Sequence, residues 1–155
     1  MRHATRIFCT MVLFSGFTLG CGGDKKGLDG SQCELVDCSF DTLECRMYDP
    51  PNEALMLYYK RILDEGVSEF SAIISIDLDG VEKVSGWEFE AEEFVERVRI
   101  YRPASNEWPE FDGNGCEIKS GDAIGDTLDG HCSFKFINGR FLTANFNCTL
   151  IAAEQ

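Results

Sequence analysis

The sequence predicts a mainly β protein, an antiparallel β-sandwich or barrel-like domain over residues 33–155 that is stabilised by disulfide bonds. Residues 69–78 alternate apolar and polar side chains, as a half-buried strand does. Residues 132–148 contain a second alternating pair of segments around the turn sequence Asn138-Gly139. Six cysteines lie beyond residue 32, an even number that is typical of a disulfide framework in an exported domain.

Length and charge narrow the range of functions. A chain of 155 residues suits one domain rather than two. It carries 14 Lys and Arg against 27 Asp and Glu, a formal net charge of −13. So acidic a chain repels phosphate backbones, which excludes nucleic acid as a partner. Only two histidines are present, so there is little material for a His-based catalytic or zinc site.

The strand at 69–78 ends in Asp79-Gly80, a dipeptide that favours a two-residue hairpin turn. The predicted partner strand then places Trp87 and Phe89 inward. Its outward positions are the acidic residues Glu88, Glu90 and Glu92. Residues 94–102 alternate in the same way and predict a further strand ended by Pro103. Residues 103–131, which are rich in Gly and Asp, predict loops.

The last hairpin has two possible registers. A three-residue loop over 138–140 places all the apolar residues of both strands on one face, whereas a two-residue loop would divide them between faces. We therefore expect the longer loop, with Cys132 opposite Phe146. The expected inward set is Cys132, Phe134, Phe136, Leu142, Ala144, Phe146 and Cys148.

Residues 52–63 are compatible with two structures. Prolines before the segment and Gly66 after it suit a short helix. Leu55, Leu57 and Tyr59 also alternate as a strand would. We favour the strand, because a single unaccompanied helix packs awkwardly beside five strands.

The N-terminus has the features of an export signal. Arg2 and Arg6 precede a 13-residue largely apolar run, residues 7–19, which is shorter than the roughly 20 residues that a transmembrane helix needs. Residues 18–24 read TLGCGGD. This segment resembles the lipobox of bacterial lipoproteins, in which a small residue precedes a cysteine that is acylated before cleavage, although Thr18 and Leu19 differ from the commonest pattern.

The resemblance implies a signal peptide over residues 1–20 and lipidation of Cys21. It also implies a localisation. In such lipoproteins an Asp directly after the acylated cysteine favours retention at the inner membrane, and this chain has Gly22 there, which favours the outer membrane or the cell surface. The following residues are rich in glycine and predict a flexible tether, so that residues 21–32 comprise the lipidated cysteine and its linker.

The remaining cysteines are disulfide candidates rather than metal ligands, because they lack CxxC spacing and the first three have no histidine nearby. Six cysteines allow 15 connectivities. We expect at least one bridge between the N-terminal and C-terminal groups, and we expect Cys132 or Cys148 to pair elsewhere, with Cys116 as a candidate. The six are Cys33, Cys38, Cys45, Cys116, Cys132 and Cys148.

Catalytic and metal-binding patterns are weak. His131 and Cys132 are neighbours on a strand and point to opposite faces, so they cannot act as base and nucleophile. The glutamates at 88–96 are typical of a solvated outer face. Aspartates around Asp77, Asp112 and Asp122 could bind calcium, but none has EF-hand spacing. We therefore expect no enzyme activity and no cofactor, with calcium as the alternative.

Aromatic residues suggest how the domain could recognise a ligand. Trp87, Trp108, Tyr58, Tyr59 and Tyr101 could form a platform for a sugar or peptide. Trp87 is better explained as core, so Trp108, which lies in a polar loop, is the candidate binding residue. The expected protein is an envelope lipoprotein that binds an envelope protein or glycan, or has a structural role. The alternatives are a hydrolase that acts on an envelope glycan through acidic residues and an accessory subunit of an envelope complex.

Overall fold

A computed structural model describes residues 27–49, 53–63, 66–82, 86–89, 91–103 and 108–154. The described residues form nine strands, one 3₁₀ helix and one α-helix. The strands are β1 (Gly27–Asp29), β2 (Thr42–Tyr48), β3 (Ala54–Ile62), β4 (Ser68–Asp77), β5 (Trp87–Phe89), β6 (Val98–Tyr101), β7 (Phe111–Ser120), β8 (Thr127–Phe136) and β9 (Phe141–Ala152). The 3₁₀ helix is Ser31–Glu34 and α1 is Ala91–Arg97.

The strands form one curled sheet, a half-barrel, in the order β5-β7-β8-β9-β2-β3-β4-β6, and β1 also pairs with β9. Described neighbours run antiparallel except β2 and β9, which are parallel where Cys45–Met47 meets Leu150–Ala152. The predicted fold class, mainly β and barrel-like, is confirmed. The parallel pair joins the strands of the N-terminal half to those of the C-terminal half.

The core lies inside the curl. Alternate residues of β2, β3, β8 and β9 are buried there, as the period of two requires. Helix α1 follows β5 and precedes β6, the strands at the two ends of the sheet. Its Phe94 is fully buried and contacts Phe111 and Phe134, with ring centroids 5.4 and 5.2 Å away. The helix therefore covers the core where the sheet does not close on itself.

Residues 52–63, for which the sequence allowed a helix or a strand, contain the strand β3. Leu55, Leu57 and Tyr59 are fully buried, and β3 pairs with β2 on one side and β4 on the other. The short helix lies instead at Ala91–Arg97, where the sequence analysis placed the start of a strand. Glu92 and Glu93 in its first turn and Arg97 in its last suit the helix dipole, and this charge pattern was the missed signal.

The predicted hairpin at Asp79-Gly80 is wrong in its strand pairing. The turn itself forms, because the N–H of Val81 donates to the carbonyl of Leu78 at 2.9 Å. However, β4 pairs with β6, whereas Trp87–Phe89 pairs with β7 at the opposite end of the sheet. Turn residues fix only the local reversal, and long-range pairing decides which strand lies alongside.

The prediction of loops over 103–131 is also wrong, because β7 and the first half of β8 lie there. A bulge between Phe111 and Asn114 interrupts the alternation of β7. Gly113 and Asn114 in that bulge have positive φ angles of 126° and 143°. An irregular strand of this kind escapes a search for period-two patterns.

The last hairpin has the predicted faces but not the predicted register. Cys132 is opposite Ala144 rather than Phe146, and the N–H of Phe136 donates to the carbonyl of Arg140 at 2.8 Å. The loop is thus residues 137–139, three residues as expected but centred one residue earlier, which changes each cross-strand partner by two residues. Because side chains repeat every two residues, a shift of two leaves the same side chains facing the core.

The ordered fold begins earlier than predicted. Gly27–Asp29 pairs with Thr143–Asn145 of β9, and the 3₁₀ helix follows. Residues 27–32, which the sequence suggested as part of the tether, therefore belong to the domain. The predicted signal peptide and Cys21 lie outside the described residues.

Candidate binding face

All six predicted cysteines form disulfides, in the pairs Cys33–Cys38, Cys45–Cys148 and Cys116–Cys132. The expected bridge from the N-terminal cysteines to the C-terminal strands is confirmed by the second pair, and the expected partner of Cys132 is confirmed by the third. His131 lies 3.6 Å from a carboxylate oxygen of Glu117 and not beside a thiol.

Trp108 is less exposed than the sequence suggested, and its role as a binding residue stays a prediction. It is half-buried, its ring stacks on Phe136 with centroids 6.0 Å apart, and its Nε1 is buried with no partner among the described residues. It lines a cavity of about 390 Å³ beside Ile100 and Phe111. Packing therefore accounts for most of this side chain, as it does for Trp87, which is only 7% exposed.

A different set of polar and aromatic residues lies on the outer surface of β2, β3, β4 and β6. The inward positions of these strands are buried, so the alternate positions face outward together. Two neighbouring rows cross the four strands, with each residue opposite the next in the ladder. The first, the tyrosine row, is Glu44, Tyr58, Ile73 and Tyr101, of which the apolar Ile73 is only 4% exposed. The second, the arginine row, is Arg46, Met56, Ser75 and Arg99. With Tyr48 and Lys60, they form what we call the tyrosine face.

Tyrosine side chains make up the aromatic part of this face. The hydroxyl oxygens of Tyr48 and Tyr58 lie 3.2 Å apart, and the ring of Phe70 lies 5.6 Å from that of Tyr58. Partial burial, together with the hydrogen bond to Tyr48, raises the pKa of Tyr58 well above its usual value. Partial burial also raises the pKa of Tyr101, which is nevertheless 41% exposed. These hydroxyls are therefore neutral at physiological pH and can donate hydrogen bonds.

Cations surround the central tyrosine. The Lys60 ammonium lies 5.6 Å and the Arg46 guanidinium carbon 5.9 Å from the centroid of the Tyr58 ring, within the range of cation–π attraction. Both cations form ion pairs with the Glu44 carboxylate. Partial burial opposes ionisation of Glu44, but the hydrogen bonds from Lys60 and Arg46 outweigh it and lower the pKa of this carboxyl.

Arg99, at the far end of the arginine row, has a different environment. Its guanidinium donates to the carbonyl oxygens of Val95 and Val98, at 2.5 and 3.0 Å. No carboxylate within the described parts of the chain pairs with it. Its charge is held in place by neutral backbone groups and remains available to a ligand.

Acidic residues occur on both halves of the sheet. Glu88, Glu92 and Glu93 are exposed around a shallow depression at α1, whereas Glu90 lies outside the described residues. No group of three or more His, Cys, Asp or Glu side chains that could hold a metal ion occurs within residues 27–154 where the structure describes them. None of the described helices is long and apolar enough to cross a membrane.

The chain was compared with family models, curated proteins and solved structures. None of them matches it.

Part of this face could have been found from the sequence. Tyr58 and Tyr101 were named as aromatic candidates, and once Leu55, Leu57 and Tyr59 face inward, Met56, Tyr58 and Lys60 must face outward. The rows themselves depend on the lateral order β2-β3-β4-β6 and on its register. No local pattern carries that information.

Proposed function

We propose that the protein is a lipid-anchored lipoprotein of the bacterial outer membrane or cell surface whose β domain binds an envelope glycan through the tyrosine face. The observation that carries the ligand class is the tyrosine row, two tyrosines that share one cross-strand row on an open sheet surface. The anchor rests on the lipobox-like residues around Cys21.

The chemistry of the row suits a sugar chain. An aromatic ring offers an apolar surface to the C–H face of a sugar ring, and a tyrosine hydroxyl can bond to a sugar hydroxyl at its edge. Tyr58 and Tyr101 lie two strand spacings apart, about 10 Å. The row runs across the strands without a closed pocket, so an extended ligand fits it better than a small compact one.

The short link to the anchor supports a ligand near the membrane. Gly27 already pairs with Asn145, so the domain begins six residues after Cys21. Six residues can span at most about 21 Å. A lipid on Cys21 would therefore hold the domain close to the membrane surface, where envelope glycans are abundant.

Glycan binding is tested by isothermal titration calorimetry of the mature chain in neutral detergent, with envelope oligosaccharides and the variant Tyr101→Ala. We expect the variant to bind at least about 10-fold more weakly, because it loses the most exposed ring of the row. Phe141→Ala removes an aromatic ring that is 53% exposed on β9 and is the matched control. Equal affinities for the wild type and Tyr101→Ala, or no glycan binding by the wild type, would contradict the proposal.

The anchor is tested separately. In a bacterial host, Cys21→Ala should abolish incorporation of labelled palmitate and release the protein from the membrane fraction, because the acylated thiol is absent. Globomycin should cause the unprocessed precursor to accumulate. Normal processing in the presence of globomycin would show that Cys21 is not a lipidation site.

A further inference from the structure

The tyrosine face differs in charge from the chain as a whole. The chain has a formal net charge of −13, yet the two rows and Lys60 contain three cations and a single carboxylate. Glu44 is shared by Arg46 and Lys60, so it neutralises only one of them. Arg99 adds a third positive charge at the other end. The two rows and Lys60 therefore carry a formal charge of +2 on an acidic protein, although Glu154, outside the rows, also acts electrostatically on Arg46.

The cations are also arranged in a regular way. Arg46 and Arg99 end the arginine row, three strand spacings apart, which is about 14 Å. The tyrosine row lies two residues further along the strands, about 7 Å away. A chain that crosses the strands over the tyrosines would thus have an arginine beside each end on one side, with Met56 and Ser75 between them, and Lys60 on the other side.

We propose that the ligand of the tyrosine face is an acidic linear glycan, whose carboxylate groups bind Arg46, Lys60 and Arg99 while its sugar rings lie over Tyr58 and Tyr101. This inference rests on the proposed function and adds the charge of the ligand to it. Guanidinium groups bind carboxylates with two parallel hydrogen bonds, and such charge-assisted bonds are about twice as strong as neutral ones. Of the three cations, Arg99 has no carboxylate partner among the described residues, and Arg46 and Lys60 share one, so a ligand carboxylate adds a charge pair that a neutral glycan cannot supply.

The test uses hexamers of galacturonic acid and of mannuronic acid, each beside its carboxyl-reduced counterpart, which has the same sugar rings without the charge. We expect an acidic hexamer to bind the mature chain in neutral detergent at least about 10-fold more tightly than its reduced form at 50 mM salt. This preference should shrink at 500 mM salt, because screening weakens exposed charge pairs.

The variant Arg99→Gln should weaken binding of the acidic form more than binding of the reduced form, so that the preference for the acidic form falls. Lys135→Gln, which removes an exposed cation of β8 on another part of the sheet, is the matched control. Equal binding of acidic and reduced hexamers overturns this inference and leaves the proposed function standing. Binding of neither form, to a chain whose fold is confirmed by circular dichroism, overturns both.

Discussion

Cys45 in β2 is bonded to Cys148 in β9, 103 residues further along the chain, beside the parallel pairing of these two strands. On one side of this junction lie β3, β4 and β6, which carry the tyrosine face; on the other lie β8, β7 and β5. The bridge therefore fixes the binding half of the sheet to the other half.

Removal of this bridge should be the most damaging change to the disulfides. In the entropic model, a cross-link that closes about 100 residues contributes about 5 kcal/mol, whereas one that closes five residues contributes about 2 kcal/mol. Cys45→Ala with Cys148→Ala should therefore lower the free energy of unfolding more than Cys33→Ala with Cys38→Ala. Urea denaturation of both double variants measures this, and equal losses would contradict the structural role of the junction.

Tyr59 provides a second link between the two halves. Its hydroxyl donates to the backbone carbonyl of Asn145 at 3.0 Å, and the side chain is fully buried. Tyr59→Phe keeps the ring contact with Phe40 but leaves a buried carbonyl without this donor, which should cost about 1–2 kcal/mol of unfolding free energy. Tyr48→Phe, at the half-exposed surface, should cost about 0.5 kcal/mol or less. If both variants lost the same stability, the buried bond would not have the assigned importance.

Three tyrosines should lose their hydroxyl protons at a higher pH than an exposed tyrosine does. Burial raises the pKa of Tyr58, Tyr59 and Tyr101, so their neutral forms stabilise the fold below the ordinary pKa near 10, and this contribution is lost as the pH rises through the raised values. Absorbance near 295 nm should show Tyr58, Tyr59 and Tyr101 ionising at higher pH in the native chain than in denaturant. If the titration curves of the native and the denatured chain coincided, the burial of these tyrosine side chains would be ruled out.

Glu44 should make stability sensitive to acid. Its pKa lies below the ordinary 4.5, so its contribution is present above that pH and is lost as the pH falls through the lowered value. The thermal midpoint should therefore fall more steeply between pH 6 and pH 3 for the wild type than for Glu44→Gln. The exposed Glu88→Gln variant should follow the wild type, and identical slopes for all three would exclude the Glu44 contribution.

Periodicity gave the faces of β3, β8 and β9 correctly, because each has a buried side and an exposed side. In β4 the alternation breaks near the bulge opposite Tyr59, where Phe70 lies against Tyr58 on the outer surface and residues 71–74 are all buried. Periodicity failed where the signal was not periodic, as in β7 with its bulge at Asn114, and where charge rather than apolarity marked the element, as in α1. It also could not pair β4 with β6, because the turn at Gly80 specifies a reversal and not a partner.

Local sequence patterns do not give lateral strand order, and for this reason they indicate Trp108 as a binding residue but not the tyrosine face. A lone aromatic residue in a polar segment can be recognised from the linear sequence alone. Tyr58 and Tyr101 are 43 residues apart and come together only through Ile73, which lies between them in the ladder. Lateral strand order arises from core packing over the whole chain, so such a surface emerges only in the folded sheet.

The central claim is that the tyrosine face is the binding surface. It is tested most directly by two-dimensional nuclear magnetic resonance of the isotope-labelled mature chain, titrated with the galacturonic acid and mannuronic acid hexamers. We predict that the amide shift changes cluster at residues of β2, β3, β4 and β6 around Tyr58 and Tyr101. Shifts that cluster at Trp108 or on β8 and β9, or no shifts with either hexamer, would contradict it.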